Sequence, residues 1–230
     1  MPALSRIVIL GTGGNSIDIL DLIQDLNGAG VSQYECVGFL DDNRAIWGSA
    51  FQGVPVRGPL SLAAELSDCV FVNGIGSPAS FRRKEALIAS TRMPVDRFIT
   101  LVHPTVVVSR SARLGFGVVL FPHVTIASNA RVGHHVIVLP SSIVSHDVSI
   151  GDYTCVAGGV AISGGVRVGR SCYLGTGSQI IGGAEIGDGA LVGMGSVVIR
   201  NVPRHAIVAG NPARVLRQSV SQAAQEPARA

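Results

Sequence analysis

A histidine beside a carboxylate is what general-base chemistry asks for, and residues 141–153, SSIVSHDVSIGDY, supply the pair His146-Asp147. A carboxylate can hold one imidazole nitrogen and raise the basicity of the other. Ser128 and Gly164 lie eighteen residues before and after His146, and Gly182 eighteen beyond that. In a chain stacked with that period, small residues over the histidine leave a channel for a thin ligand arm. On an unpatterned surface the same pair would only be a solvated histidine and its acid. A second constellation is glycine-rich. The loop Gly11–Gly14, followed by Asn15, comes straight after the apolar run RIVIL at 6–10 and opens onto helical spacing at Ile19, Leu22, Ile23 and Leu26. Backbone N–H groups at such a helix start bind phosphate or pyrophosphate. The loop keeps the G-x-G of a dinucleotide fingerprint but has Ser16 at the third glycine position. Asp41-Asp42 follows a second expected strand, and Gly74 and Gly76 follow a third, CVFVN. Strand-helix alternation predicts a parallel sheet with ligands at the carboxyl ends of its strands, so all three groups converge on one sheet edge.

The elements that carry His146 announce themselves by period. Seventeen aliphatic residues fall every six positions from Val102 to Val198 without a miss. Neither a helix, with period 3.6, nor a strand, with period 2, gives a strict six. A solenoid of hexapeptides does, three flat faces to a coil, with the aliphatic residue inside. Small or β-branched residues two places earlier, such as Val118, Val136 and Ser178, fill the same interior. Gly115, Gly133, Gly151, Gly169 and Gly187 recur every eighteen and suit a corner that needs φ > 0 or a tight backbone. In the α/β part, Asn15 or Ser16 is expected to cap the first helix, and Ser77-Pro78 to start a helix reaching about Arg92. The resulting division is a Rossmann-like α/β domain at 1–100, a parallel β-helix at 101–217 and a flexible tail at 218–230.

Composition removes several classes. The net charge of +3, with 14% charged residues, is too small to argue for nucleic acid. No apolar stretch is long enough to span a membrane, and the N-terminus lacks a signal-peptide layout. The four cysteines have no C-x-x-C spacing, so the expectation is free thiols and a cytoplasmic chain. Cys172 reads as inward packing, and Cys155 as outward near His146. His134 and His135 read as an exposed corner and His103 as structural. No three histidines share a spacing that would gather a metal. About 100 residues of α/β structure are half the usual six-strand nucleotide fold, which disfavours NAD chemistry.

With these residues in place, the chain from 6 to 217 resembles the NeuD/PglD-type sugar acetyltransferases, left-handed β-helix acyltransferases of the hexapeptide class. The resemblance rests on the small Rossmann-like domain, His103-Pro104 at the junction, SSIVSH followed by an acid, and the GNPAR ending at 210–214. It implies a homotrimer that uses acetyl-CoA to acetylate a nucleotide-linked amino sugar on nitrogen, or a sialic acid on oxygen. A non-catalytic scaffold that binds a nucleotide sugar is the alternative from another class. By the resemblance, His146 is the general base and Asp147 its neighbouring acid, more often Glu. Gly13, Gly14 and Asn15 form the substrate loop, usually ending in His. Asp41, Asp42 and Gly76 are further substrate contacts. Cys155, Thr176 and Met194 meet acetyl-CoA, and Gly164 lies on the oxyanion side. Because Asp147 is shorter than Glu, its contact with His146 is expected to be loose or through water.

Overall fold

The computed structural model describes residues 4–218. Strand β1 (Ser5–Leu10) is the centre of the first unit, with Ile7, Val8, Ile9 and Leu10 fully buried. Parallel strands flank it: β2 (Tyr34–Leu40) on one side and β5 (Cys69–Asn73) on the other. Beyond β2 lies β4 (Val54–Gly58), again parallel, and β3 (Ala50–Phe51) closes that edge as an antiparallel hairpin. Helix α1 (Gly14–Gly28) buries Ile19, Leu22, Ile23 and Leu26, the stripe read from the sequence.

Two local readings are corrected. Gly13 is the N-cap of α1 and no side chain caps it; Asn15 and Ser16 lie inside the first turn, and Ser16 is buried. Its Oγ and Cα fill the space over Gly74, so the glycine that permits close packing is on the strand side. The helix expected from Ser77 to Arg92 contracts to α2 (Lys84–Ala89), preceded by a 3-10 turn at Phe81–Arg83. The Ser80 hydroxyl lies 2.9 Å from that of Ser77 and accepts from the Ser77 N–H, a helix-start contact, and the Phe81 N–H reaches the Ser77 carbonyl at 2.9 Å; the chain then tightens to the 3-10 turn before α2.

From Leu101–Val102 to Val197–Val198 the chain makes a two-residue strand every six residues, and like strands stack in parallel into three sheets. This is the β-helix that the period predicts. The second residue of nearly every strand points inward and is buried. The eighteen-residue glycines do not adopt positive φ; that falls two places later, at His135, Tyr153 and Ser171 among others. What the glycines allow is contact between coils: a Cβ on Gly151 would stand 2.6 Å from the Arg170 backbone nitrogen.

The three faces differ in their outward residues. The face built on Val119, Ile137, Cys155 and Tyr173 is covered by the α/β unit, whose Ile9, Phe39 and Leu22 share one core with Val119, Phe121 and Ile137. The next face presents Val107, Ile143 and Ile181, exposed at 63%, 50% and 50%, with no charged residue in its strands. The third presents Arg113, Arg131, Arg167 and Glu185. A hairpin of Ala206–Gly210 and Ala213–Gln218 closes the covered sheet. The tail read as 218–230 otherwise lies outside the described residues, and Gln218 ends this hairpin.

His103 joins the two parts as a structural residue. Its Nε2 lies 3.0 Å from Asp25 at the end of α1, and its Nδ1 lies 2.8 Å from the Thr105 hydroxyl. Among the described residues no helix is long and apolar enough to cross a membrane, and no group of three His, Cys, Asp or Glu could hold a metal.

Candidate active site

His146 stands on the corner between the uncharged and the charged faces. Its Nδ1 lies 2.8 Å from Asp147 Oδ2. A carboxylate only accepts, so Nδ1 carries the hydrogen, and in the neutral ring the lone pair is on Nε2. The expected loose or water-borne contact is therefore corrected to a direct one. Asp147 takes φ +59, the left-handed turn conformation of this corner, and that brings its short side chain level with the ring. Asn129, one coil below, donates from Nδ2 to Asp147 Oδ1 at 3.0 Å. These two donors hold the Asp147 carboxyl below its ordinary range, the His146 contact contributing most. One coil above, a Cβ on Gly164 would come within 2.5 Å of His146 Cε1 and Nε2. Gly164 is thus the residue whose bareness lets the imidazole lie against the next coil. The Gly164 N–H meets no acceptor among the described residues.

A cleft of about 540 Å³ opens at the carboxyl ends of β1, β2 and β5. Gly13, Gly14, Asn15, Asp41, Asp42 and Gly76 all line it, so the structure brings the six substrate-side candidates together. Gly11 has φ +85 and needs to be glycine, whereas a Cβ on Gly13 or Gly14 would meet nothing within 4 Å. The space above that helix start is open for a ligand. Asp41 accepts from the Thr12 hydroxyl at 2.7 Å and the Asn43 N–H at 2.9 Å, and Asp42 accepts from the Leu60 N–H at 3.0 Å. Both acids are thereby aimed. Gly76 is squeezed: its Cβ would lie 2.9 Å from Cys155 Sγ and 3.2 Å from Asn15 Nδ2.

Two readings change here. Cys155 does not face outward beside His146. It is 3% exposed under the α/β unit, 3.5 Å from the amine of Lys84, because its strand belongs to the covered face. Lys84 is itself fully buried, and burial pushes its amine pKa down against the pull of Cys155. His135 is not exposed either. It stacks on Tyr153 and meets Phe98 edge-on, 2% exposed, and its pKa is pushed down to about 4 by burial, then by Lys84 and His134.

Thr176 and Met194 are exposed, Met194 at 80%, one coil apart on the corner between the covered and uncharged faces. They are not brought to His146 of their own chain; the uncharged face lies between them. The cleft lies on the covered side of that same corner and takes Leu139 and Tyr173 from the solenoid as part of its wall. His146 occupies the one corner that does not border the covered face. Tyr173, Arg83 and Asn129 join the site without having been expected from the sequence. The outward position of Tyr173 in the six-residue register, and the eighteen residues from Asn129 to Asp147, were the available signals.

Two family models match the chain: the PglD N-terminal domain over residues 6–86, and the bacterial transferase hexapeptide (six repeats) over residues 165–200. Among solved structures, the chain is similar to PerB from Caulobacter crescentus in complex with CoA and GDP-perosamine. The identity is 30% and the TM-score 0.77, over 93% of this chain and 98% of that one. It is also similar to the acetyltransferase domain of PglB from Neisseria gonorrhoeae in complex with acetyl coenzyme A, at 26% identity and TM-score 0.77, covering 93% and 100%. WeeI from Acinetobacter baumannii is similar at 27% identity and TM-score 0.77, covering 93% and 100%. No curated protein matches the chain at the sequence level.

Proposed function

The chain belongs to the PglD-type sugar acetyltransferases of the hexapeptide-repeat class, and on that premise we propose that it moves the acetyl group of acetyl-CoA to the amine of a nucleotide-linked amino sugar, with His146 as general base. The observation that carries this reading is the fixed imidazole: Asp147 holds Nδ1–H at 2.8 Å, and Nε2 is left as a proton acceptor. As the sugar nitrogen attacks the thioester carbonyl, Nε2 takes its proton; when the C–S bond breaks, Nε2 returns that proton to the sulfur and CoA leaves as the thiol. The Gly164 N–H is the donor we assign to the oxygen on which charge develops. Holding both substrates in one cleft supplies the larger part of the rate through proximity.

The acceptor's nucleotide lies in the cleft of Gly13, Gly14, Asn15, Asp41, Asp42 and Gly76. The arm of acetyl-CoA runs along the corner of Thr176 and Met194, where a Cβ on Gly177 or Gly195 would meet nothing within 4 Å. Cys155 is buried beneath Gly76 and does not line the cleft, so it supports Gly76 from below and is not an acetyl-CoA contact. Donor corner and base belong to different copies in this reading. Three copies packed through their uncharged faces set the Thr176 corner of one against the His146 corner of the next, which supports a homotrimer. Acetyl-CoA and nucleotide sugars are met in the cytoplasm, where we place the enzyme.

The test is thiol release from acetyl-CoA with a panel of UDP-, dTDP- and GDP-linked amino sugars, free sialic acid and serine. Turnover with one amino sugar, reduced about 100-fold or more in His146→Ala, is the expected result. Full activity in that variant would remove His146 from the reaction. Turnover only with sialic acid would make the enzyme an O-acetyltransferase. A melting temperature unmoved by acetyl-CoA would favour a scaffold.

A further inference from the structure

We infer that Arg83 anchors the diphosphate of the acceptor, and that it fixes which way the nucleotide sugar lies in the cleft; this rests on the proposed reading of that cleft. A sugar nucleotide carries two negative charges on its diphosphate. The cleft offers two carboxylates, Asp41 and Asp42, which repel those charges, and Arg83 is the one basic residue lining it. The amides at the start of α1 give only partial positive charge. A full cation is needed, and a guanidinium is suited to phosphate by its fork of donors.

The local structure explains why Arg83 is the cation available. Phe81 and Lys84 are buried, at 2% and 0% exposure, and pin the 3-10 turn between the two units. Residues 82 and 83 must then point away from the core. Arg82 is committed: its Nε and Nη2 both donate to the Gly189 carbonyl at 3.2 Å. The Arg83 guanidinium has no hydrogen bond or ion pair among the described residues. Arg83 lines the same cleft as Gly13 and Gly14, with its donors unspent. With the diphosphate between that loop and Arg83, the neutral nucleoside falls to Asp41 and Asp42, whose acceptors suit hydroxyl and N–H donors. The amino sugar then extends along Tyr173 and Leu139 toward the corner where the next copy brings His146.

Steady-state kinetics on wild type, Arg83→Ala and Arg83→Lys test this, together with calorimetric titration of UDP, GDP and dTDP and their nucleosides. Arg83→Ala should raise KM for the amino-sugar nucleotide about 10- to 100-fold with kcat and the KM for acetyl-CoA nearly unchanged. Nucleoside diphosphate affinity should fall by the same factor while nucleoside affinity does not, and Arg83→Lys should recover part of both. An acceptor KM and diphosphate affinity within twofold of wild type in Arg83→Ala would overturn the assignment, as would a fall confined to kcat. Titration is independent of turnover. Wild type inactive on every nucleotide sugar, yet losing diphosphate affinity in Arg83→Ala, would sink the amino-sugar reading and keep Arg83.

Discussion

The base role proposed for His146 asks that one tautomer and one orientation of its imidazole be held, and three small features share that work. Asp147 holds Nδ1, Asn129 holds Asp147, and Gly164 leaves the ring its place. Gly164→Ala is therefore predicted to push the ring off Asp147 and lower kcat roughly 10- to 100-fold. The melting temperature should stay near wild type, since His146 is exposed and the change adds only a methyl at the corner. Unchanged kcat would show that the ring is not positioned this way. His135 gives a second prediction, for stability. Its folded pKa of about 4 lies below the ordinary 6.5. Between those values the unfolded chain binds a proton that the folded chain does not, so stability falls as pH drops through that window, by roughly 3 kcal/mol in total. Above it the residue contributes nothing to the pH dependence. His135→Phe keeps an aromatic ring between Phe98 and Tyr153 and should flatten denaturation midpoints from pH 6.5 to 4. The sequence displays the His146-Asp147 pair directly. It hides the burial of His135, which depends on Phe98 folding across a corner from the other unit.

At the scale of elements, a repeat is legible because every coil repeats one physical demand. An aliphatic side chain fills the prism at each sixth residue, and a missing side chain lets coil approach coil at each eighteenth. Gly151→Ala would place a Cβ 2.6 Å from the Arg170 nitrogen and the Gly169 carbonyl carbon, both backbone atoms that cannot turn aside. It should cost about 2 kcal/mol or more and lower the melting temperature by several degrees. Gly14→Ala, with nothing within 4 Å of the new methyl, should leave the melting temperature unchanged. A loss in both, or in neither, would mean that the glycines are not divided in this way. The α/β unit was less legible where packing between the units sets the local geometry. Ser77-Pro78 does open a helical turn, but buried Phe81 and Lys84 bracket a 3-10 turn and only Lys84–Ala89 is α-helix. The same turn delivers Arg83 to the cleft, which is why no spacing rule could find it.

The whole molecule poses a question of reach. The cleft lies against the covered face and His146 stands on the corner opposite that face, so in the proposed reading an acceptor held in the cleft meets the His146 of another copy. The uncharged face between the Thr176 and His146 corners is the surface through which another copy could do so, while the arginine-bearing face remains in water. This makes a prediction that a self-contained site does not share. His146→Ala removes the base and leaves the cleft intact. Gly14→Glu puts a carboxylate into the open space at the start of α1, where it repels a diphosphate and leaves His146 intact. Each variant alone should be inactive. Co-expressed in equal amounts and mixed at random in a ring of copies, one junction in four joins an intact His146 to an intact cleft, so about a quarter of wild-type thiol release should return. If each chain used its own His146, every site in the mixture would carry one defect. The mixed assembly would then stay as inactive as its parents.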